Sequence, residues 1–224
     1  FKNKLKKNKV SVIAEIKKAS PSAGIIVENY DPRLIAKQYF NSGADCLSVL
    51  TEEKYFKGKL EDIFEIKKEV KLPILCKDFM IDSYQVYLAK SFGADAILII
   101  LSAIDDKTAN EIYNVAQELS MSAIVEVHTN EEAKRAINFK NSIIGINNRN
   151  LKTLKTDIQT TYELHKILSN HPEPLICESG IKSEKEVREI VKKTKINNFL
   201  IGESLLKDLD KKPSLLEKIL QIKA

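Results

Sequence analysis

Three observations in this 224-residue chain predict an α/β fold, a single (β/α)8 TIM barrel, with a doubly wound open sheet as the alternative. Eight short apolar runs alternate with stretches of helical spacing, strand before helix each time. The runs are continuously apolar, which marks parallel strands buried on both faces. The chain also echoes itself. Gly43-Ala-Asp45 before one run returns 50 residues later as Gly93-Ala-Asp95, and Pro73-Ile-Leu-Cys76-Lys77 returns 101 residues later as Pro174-Leu-Ile-Cys177-Glu178. With about 25 residues to a strand-helix unit, these offsets are two and four units.

The first run, 10–14, leads into Glu15 and Lys17 and then a loop marked by Ser20, Pro21, Ser22 and Gly24. Glu15 and Lys17 are two residues apart, so a strand that persists through Lys17 points both at one site. Asp31-Pro32 supplies an N-cap and first-turn proline for a helix over 31–42, where Leu34, Ile35, Tyr39 and Phe40 keep helical spacing and Gly43 is the stop. Further strands are predicted at 46–50, 73–76, 96–101, 123–127, 143–146, 175–177 and 199–201. The helices between and after them fall at 59–70, 82–91, 105–120, 129–139, 156–169, 183–193 and 213–223. No linker, low-complexity tract or second domain interrupts the pattern, so 1–224 reads as one barrel.

The composition, 43% hydrophobic and 30% charged, supports a sizeable core. No apolar run approaches the roughly 20 residues that span a bilayer, and the lysine-rich opening lacks a signal-peptide core, so a cytoplasmic location without membrane partners is expected. Cys46, Cys76 and Cys177 are far apart and set in apolar runs, as reduced core residues are. Of three histidines only His128 is near a candidate site, so no metal is expected. The net charge of +5 rests on lysine, with arginine only at positions 33, 135, 149 and 188. That scarcity argues against nucleic acid and for an anionic small molecule as partner. Monomer and homodimer both remain open.

A barrel builds its active site from the C-terminal strand ends. Here these carry Glu15 and Lys17, the stretch 51–56, Lys77-Asp78, Ser102, Glu126 with His128, Asn147 with Arg149, Glu178-Ser179-Gly180 and Gly202-Glu203-Ser204. Ser102 and Ser204 read as helix caps. Capping does not explain charges on the strands themselves, where each costs several kcal/mol, roughly, unless partnered. Glu15, Lys17, Lys77, Glu126, Arg149 and Glu178 alternate in sign as a compensating ring suited to proton transfer. Gly180 and Gly202 follow strands 7 and 8, where barrels often bind phosphate through backbone N–H groups.

The motifs Ala-Glu15-Ile-Lys17-Lys-Ala-Ser20-Pro-Ser22, Ser-Val-Leu-Thr51-Glu-Glu-Lys-Tyr-Phe56, Cys-Lys77-Asp-Phe, Val-Glu126-Val-His, Gly-Ile-Asn147-Asn-Arg149-Asn-Leu151, Glu178-Ser-Gly180-Ile and Leu-Ile-Gly202-Glu-Ser, in this order, resemble indole-3-glycerol-phosphate synthase. The resemblance implies a cofactor-free lyase of tryptophan biosynthesis that closes the indole ring of 1-(2-carboxyphenylamino)-1-deoxyribulose 5-phosphate, releasing carbon dioxide and water. It assigns Lys77 as general acid, Glu126 as base, and Lys17 as a second acid that, with Arg149, holds the substrate carboxylate. Glu15 positions the lysines, while Asn147 and Glu178 orient the substrate. Phe56 and Leu151 pack on its aromatic ring, and Lys17, Ser20, Ser179, Gly180, Gly202 and the Glu203 amide line the phosphate pocket.

Two departures stand out. Asn150 replaces a frequent Asp, and the family's helical N-terminal extension is represented by a remnant, residues 1–9, so that substrate binding is expected to be weak without the rest. Two alternatives stand beside this reading. Another phosphate-binding barrel such as phosphoribosylanthranilate isomerase uses a Cys and Asp pair, and strand alternation turns Cys76 and Cys177 away from the lumen. A non-catalytic binding scaffold has no need of charges at the strand ends.

Overall fold

Runs rich in Val, Ile and Leu can be buried on both faces only if helices cover the outside and a closed lumen takes the inside. The computed structural model, which describes residues 1–7 and 9–223, has this arrangement. Its barrel strands are β1 (Ser11–Ile16), β2 (Cys46–Leu50), β3 (Ile74–Lys77), β4 (Ala96–Ile100), β5 (Ser122–Val127), β6 (Ile143–Asn147), β7 (Leu175–Glu178) and β8 (Asn198–Ile201). All neighbours are parallel, and the ring closes because β1 pairs with both β8 and β2. The main helices are α1 (Pro32–Asn41), α2 (Glu61–Glu69), α3 (Tyr84–Ser91), α4 (Asp106–Glu118), α5 (Asn130–Ala136), α6 (Gln159–Leu168), α7 (Glu184–Thr194) and α8 (Leu215–Leu220). Among the described residues no helix is long and apolar enough to cross a membrane.

Strand parity divides the core in two. Ile13, Leu75, Leu98, Ile124, Ile143, Ile176 and Leu200 fill the lumen together with Cys46. Val12, Val49, Cys76, Val125 and Cys177 face outward, under the helices. Cys76 and Cys177 therefore turn away from the lumen, as their positions beside Lys77 and Glu178 require. All three cysteines are free and buried, and burial pushes the Cys76 thiol up to about 12 and the Cys177 thiol up to about 11.

Four strands outrun their apolar runs, to Ile16, Lys77, Asn147 and Glu178, because the polar residues at their ends find partners inside the barrel. Asp31 caps α1 as expected, its side chain accepting from the Arg33 N–H, with Pro32 next. Ser102 and Ser204 are not caps. α4 begins four residues after Ser102 with Asp105 as its cap, and the helical turn Glu203–Leu206 starts from Gly202. The Ser204 hydroxyl instead donates to the Ile181 carbonyl at 2.6 Å, tying β8 to the loop after β7.

The N-terminal end of the barrel is closed. A helical turn, Lys2–Leu5, places Leu5 (2% exposed) in the lumen cluster, with Phe1 packed beside it. Lys2 and Lys6 both pair with Glu173. The two Gly-Ala-Asp echoes have one structural job here. The Asp45 backbone N–H donates to the Val12 carbonyl while its side chain accepts from the Val12 N–H, and Asp95 does the same with Ile74. Lysines neutralise both carboxylates, Lys7 and Lys9 at Asp45 and Lys67 at Asp95.

Candidate active site

At the opposite, C-terminal end a cavity of about 960 Å³ opens between the strand ends and their loops. It is lined by Glu15, Lys17, Ser20, Phe56, Lys77, Glu126, Asn147, Arg149, Leu151, Ser179, Gly180, Gly202 and Glu203, which are all the residues to which the resemblance gives a role except Glu178. Glu178 is fully buried and reaches the cavity only through Lys77.

The charges form one network because the register stacks them. Glu15 bridges two lysines, with Oε1 at 2.5 Å from Lys17 Nζ and Oε2 at 3.1 Å from Lys77 Nζ. Lys77 Nζ also lies 3.2 Å from Glu178 Oε2. Glu126 pairs in register with Gly145, and Asn147 with Glu178, which brings the Asn147 amide to 3.0 Å from Glu126 Oε1. Two glycines make room for these carboxylates. A Cβ at Gly202 would overlap Glu15 Oε1, and one at Gly145 would overlap Glu178 Oε1.

Burial and neighbouring charge set the protonation states. Burial alone would raise the Glu15 carboxyl, but Lys17 and Lys77 outweigh it and hold Glu15 at about 2. For Lys77 burial opposes the charge, yet Glu15, Glu178 and Glu126 prevail and hold it protonated well above the ordinary lysine value. Glu126 is lowered despite burial, by His128, Lys77 and Asn147. Glu178 goes the other way. Burial raises it, and the repulsion from Glu126 and Glu15 adds to that, with Lys77 only partly opposing. The site thus holds a fixed cation, two ionised carboxylates and a third that protonates readily.

The rim supplies orientation. The Glu52 carboxylate accepts from the backbone N–H groups of Lys54, Tyr55 and Phe56, which fixes the loop that presents Phe56. Asn150 Oδ1 accepts from Lys152 and Thr153 N–H, which closes the turn after β6. Arg149 donates to the Leu154 carbonyl within the same loop. Sequence reasoning passed over Glu52 and Asn148. The Asn148 amide donates to the Glu178 and Ser179 carbonyls while its oxygen accepts from Thr161, holding the β7 end from outside the lumen. Its signal was the doubled asparagine before Arg149. Among the described residues no group of three or more His, Cys, Asp or Glu side chains is placed to hold a metal ion.

Lysine-glutamate pairs over a large cavity at the C-terminal end of a closed barrel define a (β/α)8-barrel enzyme of the acid-base kind. The family model described as indole-3-glycerol phosphate synthase matches residues 1–217. The indole-3-glycerol phosphate synthase of Prochlorococcus marinus is 45% identical over 209 residues, 91% of this chain and 70% of that protein. That of Aquifex aeolicus is 47% identical over 197 residues, 88% of this chain and 76% of that one. Among solved structures, the tryptophan synthase alpha chain of Legionella pneumophila superposes with a TM-score of 0.68 at 15% identity, over 95% of this chain and 91% of that one, a likeness of fold alone. The chain belongs to the indole-3-glycerol phosphate synthase family, carboxy-lyases of tryptophan biosynthesis.

Proposed function

We propose that this chain converts 1-(2-carboxyphenylamino)-1-deoxyribulose 5-phosphate into indole-3-glycerol phosphate, with the residues above in the following roles. Lys77 donates a proton to the ribulose carbonyl oxygen as the aryl carbon attacks it. Loss of the carboxylate as carbon dioxide restores the aromatic ring, with Lys17 and Arg149 binding that carboxylate beforehand. Dehydration follows, Glu126 taking a proton and Lys17 giving one to the departing hydroxyl. The atoms balance as substrate to product plus one carbon dioxide and one water, so no oxidant, reductant or cofactor enters. Phe56 and Leu151 flank the aromatic ring. Ser20, Ser179, Gly180, Gly202 and the Glu203 amide take the phosphate with Lys17, and Glu178 acts through Lys77. The setting is cytoplasmic, and the partner a phosphorylated small molecule rather than nucleic acid.

The observation that carries the reading is Lys77, protonated between Glu15 and Glu178 on the cavity wall that Glu126 shares. The test is indole-3-glycerol phosphate formation by this chain and by Lys77→Ala. A general acid contributes about 10² to 10⁴ in rate, so kcat should fall by that factor. Turnover unchanged in the variant would overturn the role of Lys77, and no turnover by the parent chain would overturn the reaction.

A further inference from the structure

His128 and Glu132 lie outside the cavity, and the mechanism above leaves both unused. His128 follows β5 one residue past its end and Glu132 is in the first turn of α5. The Glu132 carboxylate turns back onto the strand end, where Oε2 accepts from the His128 backbone N–H at 2.8 Å and lies 3.2 Å from Nδ1 of the ring. On the other side of the ring, Nε2 is 3.2 Å from Glu126 Oε1. Each ring nitrogen therefore faces a carboxylate oxygen, an environment that only a doubly protonated imidazolium can satisfy from both sides. Nε2 is buried and makes no hydrogen bond, so its approach to Glu126 is that of an ion pair.

We propose that His128, anchored by Glu132, is a positioning residue for Glu126, holding one edge of that carboxylate so that the other faces the substrate. This rests on the reading of Glu126 as the base. His128 Nε2 and Asn147 Nδ2 both address Oε1, and Oε2 has no hydrogen-bond partner among the described residues. The imidazolium keeps its proton throughout, and the proton removed from substrate goes to Oε2. Burial opposes charging the ring, but Glu126 and Glu132 outweigh it and push His128 up to about 9, so it is charged at neutral pH.

The other charged groups around Glu126 are Lys77 from β3 and Glu178 from β7. Asn147 from β6 is neutral, and the β4 register partner, Ile100, is apolar. His128 and Lys77 are thus the two cations beside Glu126 among the described residues.

The experiment measures kcat and kcat/KM against pH for the full chain and for His128→Gln, Glu132→Gln and Glu126→Gln. His128→Gln should lower kcat between about 10- and 100-fold with KM little changed, through lost orientation of the base. Removing a cation beside a carboxylate raises its pKa, so the acid limb of kcat/KM should move up by about one pH unit. Glu132→Gln should shift both quantities the same way and less. A limb that stays in place in both variants, or losses that follow only the amount of folded protein, would overturn the proposal. Full activity of Glu126→Gln would instead remove the base assignment beneath it. Should His128→Gln not fold, the His128 ring is titrated by NMR in the unaltered chain. Titration near 9 supports the proposal, and a ring that is neutral at pH 7.5 sinks it.

Discussion

The two ends of this barrel are built from the same strands and solve opposite problems. At the N-terminal end Leu5 and Phe1 seal the lumen with apolar surface, and the acidic residues there, Asp45 and Asp95, are spent on backbone N–H groups of a neighbouring strand. At the C-terminal end the lumen holds Glu15, Lys77 and Glu178, which pair with one another, and Glu126, held by Asn147 and His128, and the cavity above them is open. Charges that stitch backbone stabilise a fold; charges held by other side chains, beside a cavity, are available to a substrate. The difference predicts that stability and turnover can be altered separately.

The sharpest separation should come from Leu5→Ala. Truncating a fully buried leucine costs about 2–5 kcal/mol, and the loss should appear in the denaturation midpoint while kcat per folded molecule stays within about twofold. A collapse of kcat at unchanged stability would erase the distinction between the ends. The converse test is Gly202→Ala, whose methyl would displace the Glu15-Lys17 pair. A displacement on the order of 1 Å costs about 10²-fold, so kcat/KM should fall by that factor, a far larger loss of turnover than Leu5→Ala causes. Retained activity would mean that the pair tolerates movement and is not a fixed part of the site.

The smallest effect is in the pH dependence of stability. Glu15 sits at about 2 in the folded chain against 4.5 ordinarily, burial being outweighed by Lys17 and Lys77. A depressed folded-state value means that the contribution is complete above 4.5 and disappears as pH falls toward 2. One proton gives a slope of at most about 1.4 kcal/mol per pH unit, and Glu15→Gln should flatten the acid side of the profile in that window. An unchanged slope would mean that other carboxylates dominate acid unfolding.

How much of this was legible in the sequence depended on how local each feature is. Strand parity acts over two residues, so the shared direction of Glu15 and Lys17 and the outward turn of Cys76 and Cys177 could be read directly. The barrel followed from the alternation of apolar runs and helical stretches. The caps misled, because serine is common in any βα loop and the helix start decides which residue serves; Asp105 and Gly202 do so here. Glu132 reads as an ordinary first-turn acid behind Thr129, which does cap α5. Only the fold shows its carboxylate bent back onto His128. The closure of the barrel floor by Leu5 left no trace in a lysine-rich opening that has a single leucine.

The paired aspartates also bear on how the chain can assemble during synthesis. Asp45 reaches back to Val12 and Asp95 back to Ile74, so each fastener arrives with the second strand of its pair and closes on a first strand already made. Neither waits for residues still to be translated. A chain emerging from the ribosome can therefore lock β1 to β2, and then β3 to β4, before the second half of the barrel exists to close the ring.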